Sequence, residues 1–487
     1  MKNPMLTRYV ALSIALLSIT FGCKTNDANT GDFAYLGGEI VNPKNKNVIL
    51  YNTEGKVVDS FKLDSNNRFI HKFTNLQSGL YSITHGGEYQ MVLLEPNDSI
   101  MFRLNTYDFD ESLVFTGNGA KKNNYLIRTY LSNEQEEKKL IKYAKIEPEA
   151  FNLFIEERRK IQLDNFHDFL AQNDESDFFK SIIEANINYN AYANKEIYPF
   201  AYFGNNKLIH IKDLPEDFYA YRETVDYNAN HLRHFYSYNR FMFSHIDNMA
   251  AHSHYEKHTF HNKFDRHAMD FNKSKLDLID SLISDETIKN NLLKYKTRDY
   301  VSHNHTETDA NEMLDYYLAK STNDSDKKGM KELVSSLKLL RQGNPLPDLD
   351  VINFDGEEHE LSAVIDKPTV IYFWSSNSKM QYRNSHYKVK ELKSKFPKVD
   401  FISINLNRND GETWKAIISD YNFPTEKEFK FKNPKKARRI LAVNYSNKAI
   451  VVNENTTILH PNVNIFKTDF PETLSNLVQK KHLIVSQ

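Results

Sequence analysis

Residues 367–376 read KPTVIYFWSS, and SKMQ follows at residues 378–381. The run Pro368–Trp374 is almost wholly apolar, which is typical of a strand buried on both faces of a parallel-type sheet. The SKMQ segment has the pattern of a capping box, with Ser378 at the N-cap and Gln381 at the third helical position. Together these signals predict a buried strand that turns directly into a helix.

Strands and helices alternate through the rest of the C-terminal region. A helix is predicted from about Ser378 to Phe396, and a second buried strand, VDFISIN, at residues 399–405. A helix over 412–421, a hairpin over 449–460 and a terminal helix over 470–481 follow. This order predicts an α/β layer fold for residues 342–487.

The two preceding regions have different patterns. Residues 33–118 contain short β-type runs, separated by turn signals at a spacing of about 8–12 residues that is typical of a small β-sandwich. Residues 119–341 carry apolar residues at helical spacing, until Gly343 ends the last helix. The predicted fold class is therefore multidomain α+β, with an N-terminal β-sandwich, a helical middle region and a C-terminal α/β domain.

The N-terminal segment has the features of a targeting signal. Residues 1–22 contain Lys2 and Arg8 and then an apolar stretch too short to span a bilayer, as in a secretory signal peptide. Cys23, the single cysteine among 487 residues, follows where a bacterial lipobox has its lipidated cysteine. We therefore expect a signal peptide over 1–22, lipid on Cys23 and a polar tether over 23–32. The lipobox resemblance implies a lipid anchor. Lys24 follows the cysteine where an Asp would imply retention in the inner membrane, so we expect the outer membrane, on the periplasmic side rather than the cell surface.

The C-terminal region resembles the thioredoxin-like domain of the TlpA and alkyl-hydroperoxide-reductase type. The stretches that carry this resemblance are GNPLPDL at 343–349, KPTVIYFWSS at 367–376 and FISIN at 401–405. Residues 109–117 and 123–126 also resemble the junction between β domain and helices in a class of bacterial lipoproteins. The resemblance implies a thioredoxin-like domain over 342–487.

The same resemblance implies a Cys-x-x-Cys motif where this sequence has Ser378 and Gln381, and a cis-proline at about Asn447. Thiol–disulfide exchange needs a thiolate, and a peroxidatic reaction needs a cysteine that can form a sulfenate. With Cys23 predicted to carry lipid, we expect no redox turnover, no catalytic residue and no cofactor. We interpret Ser378 as a helix cap rather than a nucleophile. An anion held at this helix N-terminus, near residues 376–378, is the other alternative.

The middle region is rich in histidine. It contains His231, His234, His245, His252, His254, His258, His261 and His267. His254 and His258 are four residues apart and His258 and His261 three apart, so on a helix each pair would share a face and could bind zinc. The alternative is a set of surface and packing histidines. Aromatic residues are dense at 198–203 and 234–238, which favours a packed core over a carbohydrate or peptide groove.

The composition and the missing motifs limit the possible functions. The chain has 63 Lys and Arg against 64 Asp and Glu, so no charge-driven nucleic-acid partner is implied. It lacks a Gly-x-Ser-x-Gly elbow and a phosphate-binding glycine loop. We predict a non-enzymatic, lipid-anchored envelope protein whose thioredoxin-like domain binds proteins or acts as a scaffold, within an outer-membrane complex. The alternatives are a metal-dependent enzyme using the His-rich region and a thiol–disulfide oxidoreductase, as the family resemblance alone would suggest.

Overall fold

A computed structural model describes residues 33–479, except residues 53, 144, 205–213, 258–264, 304–305, 377, 408–410 and 444–446. The predicted signal peptide, Cys23 and the tether lie outside the described residues. The described residues divide into two compact units, one comprising 33–85 with Tyr89–Thr129 and the other 130–479 with Gly86–Glu88. Among the described residues, no helix is both long enough and apolar enough to cross a bilayer.

The first unit consists of two four-stranded sheets. Its strands are β1 (Phe33–Val41), β2 (Asn47–Tyr51), β3 (Val57–Lys62), β4 (Arg68–Thr74), β5 (Gly79–His85), β6 (Glu88–Leu94), β7 (Ser99–Asn105) and β8 (Val114–Asn118). One sheet has the order β4-β1-β7-β8 and the other β3-β2-β5-β6. The ring of Phe61 in β3 stacks on that of Phe69 in β4, with centroids 4.9 Å apart, so aromatic packing joins the two sheets.

Polar side chains attach the first helix, α1 (Ala120–Glu137), to these strands. The Asn123 side chain accepts the N–H of Leu93 at 2.8 Å and donates to the Leu93 carbonyl at 2.9 Å. Asn124 makes the same pair of bonds with Phe115. β6 and β8 are edge strands, so Leu93 and Phe115 have no neighbouring strand on one side. Each amide side chain hydrogen-bonds the backbone N–H and carbonyl that a neighbouring strand would otherwise pair with.

The second unit begins with helices. Beyond α1 they are α2 (Leu140–Tyr143), α3 (Pro148–Gln172), α4 (Asp177–Phe203), α5 (Tyr236–Lys257), α6 (Met269–Leu282), α7 (Glu286–Val301), α8 (Glu307–Lys320) and α9 (Asp324–Leu339). Side chains cap several of their N-termini; for example, Thr306 and Asp309 form a reciprocal capping box at α8. The helical middle region predicted from apolar spacing is confirmed.

The C-terminal part of this unit is a seven-stranded sheet flanked by helices. Its elements are β9 (Asp350–Asn353), β10 (Glu358–Glu360), β11 (Thr369–Trp374), α10 (Lys379–Lys395), β12 (Asp400–Asn405), α11 (Gly411–Asp420), β13 (Glu428–Phe431), α12 (Pro434–Ile440), β14 (Lys448–Val452), β15 (Ile458–Asn464) and α13 (Phe470–Gln479). The strand order is β10-β9-β13-β12-β11-β14-β15. β11 pairs parallel with β12 and antiparallel with β14. The predicted mixed fold class is confirmed.

Every residue of β11 is buried. Ile371 and Phe373 belong to a core that also contains residues of α12 and is contacted by Leu333 and Leu337 of α9. Val370, Tyr372 and Trp374 face a second core with α10, α11 and α13. Because α9 packs on the first of these cores, the helices and the sheet share apolar contacts. The domain boundaries at 119 and 342 stay predictions.

The elements that the sequence patterns did not indicate include β8, β13 and α12. β13 reads EFKF, in which Glu428 and Lys430 interrupt the apolar pattern, although Glu428 is buried. α12 has seven residues and begins at Pro434, which is too short for helical periodicity to emerge.

Gly117 in β8 generates a prediction about the first unit. Its φ is +94°, and a Cβ there would lie 2.0 Å from the carbonyl oxygen of Ser99. Gly55 has a φ of +72° but open space around it. We expect Gly117→Ala to lower the stability of the first unit by about 3 kcal/mol, and Gly55→Ala, between β2 and β3, to lower it by about 1 kcal/mol, because only the former adds a steric clash to the backbone strain.

Amide hydrogen exchange of peptides covering β7 and β8 measures this difference. Equal protection in the two variants would show that β8 can move away from Ser99 at no cost, which would contradict the prediction.

Candidate functional site

The turn between β11 and α10 is where the sequence resemblance implies a redox motif. Ser378 is the N-cap of α10, and its hydroxyl accepts the N–H of Gln381 at 3.4 Å. The Gln381 side chain does not complete the capping box. Its Oε1 accepts the N–H of Ser375 at 3.1 Å, and its Nε2 donates to the carbonyl of Phe373 at 3.1 Å. Gln381 therefore fastens the end of β11 to the first turn of α10.

A second set of bonds fixes the other side of the turn. The N–H of Ser376 donates to Oδ1 of Asn407 at 3.0 Å, and Nδ2 of Asn405 donates to the Ser376 hydroxyl at 2.8 Å. The N–H of Asn407 in turn donates to Asn405. The backbone N–H groups of Ser375, Ser376 and Gln381 thus all have acceptors within the chain, which leaves fewer donors for a bound anion.

Ser378 has the surroundings of a cap rather than of a nucleophile. It is exposed, and its neighbour Met380 is 73% exposed. Among the described residues, no His, Asp or Glu side chain is hydrogen-bonded to its hydroxyl. An activated serine needs an adjacent base to take its proton. Asn447 is also exposed and directly precedes β14.

A buried polar cluster lies close to this turn, in the core beneath Trp374. Nδ1 of His386 lies 2.7 Å from the carbonyl oxygen of Tyr382, so this nitrogen carries a proton. Nε2 of His386 lies 3.0 Å from Oε1 of Glu428, and both side chains are 4% exposed. The Trp374 indole donates to Ser403 at 2.8 Å. The cluster pairs His386 with Glu428 and orients Trp374 inside an apolar core, whereas the buried Oε2 of Glu428 has no hydrogen-bond partner among the described residues.

The sequence did not single out His386 or Glu428. His386 stacks on Phe423, with centroids 4.1 Å apart, and meets Trp374 edge to face. Burial, followed by the charge of Glu428, raises the pKa of Tyr372 well above its ordinary value. The charged Glu428 within the pattern EFKF was the available signal, since a carboxylate in a buried strand needs a partner.

The predicted zinc candidates are described only in part. His254 lies on α5, which extends to Lys257, so the segment from His252 to Lys257 is helical rather than a loop. Nδ1 of His254 is 3.9 Å from Oδ2 of Asp270, and its ring meets Phe271 edge-on. His258 and His261 lie outside the described residues. The described part of the chain contains no cluster of three or more metal-binding side chains.

His245 belongs instead to a largely buried ionic network around Glu196 of α4, in which Glu196 and His245 are fully buried. Oε1 of Glu196 lies 2.6 Å from Nδ1 of His245 and accepts the hydroxyl of Tyr221 at 2.8 Å. Oε2 accepts from Arg222 at 2.6 Å. Nε2 of His245 lies 2.9 Å from the Tyr227 hydroxyl. The network fixes residues 219–227 against α4 and α5.

The electrostatics of Glu196 follow from these contacts. Burial alone would raise its pKa, but the charge of Arg222 and the hydrogen bond from His245 outweigh burial and lower it below the ordinary value. The guanidinium of Arg222 also stacks over the ring of Tyr219, 3.6 Å from its centroid. Each charge in this network therefore has a partner, as stable burial requires.

Several side chains of the dense aromatic segments are core, although Tyr236 is 55% exposed. Tyr198 and Tyr238 are fully buried, and the ring of Tyr198 stacks on Phe151 with centroids 3.9 Å apart. Their packing agrees with the interpretation of these residues as core rather than as a groove.

Comparison with known proteins identifies the fold. Residues 366–458 match the family model described as thioredoxin-like. A thioredoxin-like protein from Bacteroides caccae has 12% identity, with 58% of this chain and 92% of that chain covered and a TM-score of 0.34. A thioredoxin-like protein from Bacteroides vulgatus has 19% identity, with 28% and 90% covered and a TM-score of 0.25. No curated protein is significantly similar in sequence.

The family match and the sheet together define the class: the C-terminal region contains a thioredoxin-like domain. The match spans residues 366–458 and thus includes Ser378, Gln381 and Asn447. It does not include the helical region that contains Glu196 and His254.

The Glu196 network generates a prediction. Replacing Glu196 with glutamine leaves the buried guanidinium of Arg222 without a counter-charge, so we expect a loss of about 3–5 kcal/mol in stability. The matched control is Glu184→Gln, an exposed position on the same helix, which should change stability by less than about 0.5 kcal/mol. Urea unfolding followed by circular dichroism at the helical band measures both.

The pH dependence has a defined sign. The pKa of Glu196 is lowered in the folded state. The stabilisation that its ionised carboxylate gives the fold is therefore present above the unfolded carboxyl pKa of about 4.3 and is lost as the pH falls below that value. The difference in the free energy of unfolding between the wild type and Glu196→Gln should become smaller below about pH 4. A gap that widens on acidification would contradict the proposed charge pairing.

Proposed function

We propose that this chain is a lipid-anchored cell-envelope protein whose thioredoxin-like domain performs no redox chemistry and serves as a protein-interaction or scaffold module. The observation that carries the proposal is the turn from β11 to α10. Ser378 and Gln381 occupy the positions of the expected cysteines, and both side chains are used to hold the turn. A serine hydroxyl cannot ionise usefully at neutral pH or form a disulfide.

Membrane attachment and location form a second part of the proposal. Cys23 is the single cysteine of the chain and follows a segment that resembles a lipobox. Lipid on Cys23 would supply a durable anchor, since more than one acyl chain is needed for stable membrane binding. We place the protein at the outer membrane, on the periplasmic side, within a complex of envelope proteins.

The competing proposals differ in what they require. A thiol–disulfide oxidoreductase requires two cysteines in the domain, and the sequence has none there. A metal-dependent enzyme requires a ligand set around His254, His258 and His261. Metal analysis of protein purified without a His tag tests the second: stoichiometric zinc lost on substituting His254 and His258 would favour it over the interaction module.

The insulin assay tests the absence of redox chemistry. Purified protein should reduce insulin no faster than the dithiothreitol blank, because no thiolate is present at the start of α10. The double variant Ser378→Cys/Gln381→Cys restores the motif on the same fold and should gain activity above that blank. Turnover that persists in a Cys23→Ala chain with native Ser378 and Gln381 would contradict the proposal.

The lipid anchor has its own test. Wild-type protein expressed in a bacterial host should sediment with membranes and incorporate radiolabelled palmitate, whereas Cys23→Ala should lose the label. Ser378→Ala serves as the control, because this substitution leaves the predicted lipid site intact. Equal labelling of the wild type and Cys23→Ala would rule out lipid on this cysteine.

A further inference from the structure

A cleft of about 1010 Å³ lies within the second unit, between helices α8 and α9 and strands β14 and β15. Its volume is at the upper end of the range of small-ligand sites, about 300–1,000 Å³. Apolar side chains line it from both helices, including Leu314, Val334 and Leu337. Hydroxyl and amide groups, including Thr306 and Asn462, also line it. This mixture can bind an extended segment that has apolar side chains and a polar backbone.

Lys448, the first residue of β14, is part of the cleft lining and is 3% exposed. Its ammonium donates to the carbonyl oxygens of Leu441 at 2.7 Å and Ala442 at 3.4 Å, just after α12. These bonds cap the end of α12 and use two of the three N–H groups. Among the described residues, no carboxylate lies within ion-pair distance of Lys448.

The hydrogen bonds to these two carbonyls give the Lys448 ammonium polar partners but no negative charge. Burying an ammonium beside neutral carbonyls alone is unfavourable, and accordingly burial lowers the pKa of Lys448 to about 7. By contrast, the buried Lys275 and Lys296 in the helical region both pair with Asp247, at 3.1 and 2.7 Å. Lys448 differs from these buried lysines in having no anion beside it in the described chain.

The other charges of the cleft also favour an anion. Besides Lys448, three Lys or Arg side chains line it against two carboxylates. One of these carboxylates, Glu307, is already bound by Lys338 at 2.6 Å and by Arg341 at 3.3 Å. The remaining carboxylate is Asp315, an exposed residue of α8. His460 of β15 also lines the cleft, and burial lowers its pKa, so it is mostly neutral near pH 7.

We propose that this cleft binds a segment of a partner protein that carries a carboxylate among apolar residues, with the carboxylate paired to Lys448. The apolar side chains of the segment would lie on Leu314 and Leu337, and its backbone would meet the polar groups of the lining. The site is separate from the turn at Ser378, so the inference goes beyond the proposed loss of redox chemistry. It does not depend on the outcome of the insulin assay.

A double-mutant cycle tests the pairing directly. The probe is a fluorescein-labelled peptide of sequence LLELL with an amidated C-terminus, compared with LLQLL. Binding is measured by fluorescence anisotropy to the full chain in lipid nanodiscs, with empty nanodiscs as the blank. We expect LLELL to bind at least tenfold more tightly than LLQLL, and Lys448→Met to reduce LLELL binding by the same factor. In Lys448→Met the two peptides should bind equally, because the partner of the carboxylate is gone.

Two further variants separate binding from folding. Lys328→Met changes an exposed lysine on α9 that does not line the cleft, and it should leave LLELL binding unchanged. Leu314→Glu adds a carboxylate to the cleft and leaves the hydrogen bonds of Lys448 at the end of α12 unchanged. It should weaken the binding of LLELL more than the binding of LLQLL. If Lys448→Met fails to fold, Leu314→Glu alone decides the question.

Three outcomes would overturn the inference. They are equal binding of LLELL and LLQLL to the wild type, unchanged discrimination in Leu314→Glu, and displacement of the peptide by octanoate at matched concentration. The last outcome would assign the cleft to a fatty-acid type of ligand instead. None of these outcomes changes the expected insulin result, so failure here and failure of the proposed function are distinguishable.

Discussion

The complete burial of β11 constrains the C-terminal part of the molecule. This strand has sheet neighbours on both edges and an apolar core on each face. Polar atoms near it must therefore find partners inside the protein, as the indole of Trp374 does with Ser403. The position at which the chain leaves the strand is consequently fixed, and so is the location of Ser378 at the start of α10.

The turn after β11 illustrates how one scaffold can keep its shape while its reactive groups change. At a helix N-terminus, free N–H groups favour a nearby negative charge, and this is how such a site lowers a thiol pKa. Here the Ser378 hydroxyl accepts the N–H of Gln381 in the first turn of α10, and the side chains of Gln381 and Asn407 accept the N–H groups of Ser375 and Ser376 just before the helix. These hydrogen bonds stabilise the turn.

The sequence predicted the elements whose signal is local. The run Pro368–Trp374 and the SKMQ segment located β11 and α10 to within one residue, because burial and capping each leave a pattern in adjacent residues. The Gln381 contacts to Ser375 and Phe373 were not predicted, and neither was the pairing of Glu196 with His245. That pair is separated by 49 residues, and only helix packing brings it together. Lys448 was not singled out either, because the lack of a counter-charge beside it depends on tertiary neighbours.

The two edges of the seven-stranded sheet have a consequence for self-association. β10, at one edge, has three residues, two of them glutamates. β15, at the other, contains Pro461, which has no N–H to offer a neighbouring strand. Short, charged or proline-bearing edges resist pairing with the sheet of another molecule. Copies of this domain at high local concentration are therefore protected against forming cross-molecule β-sheets through these two edges.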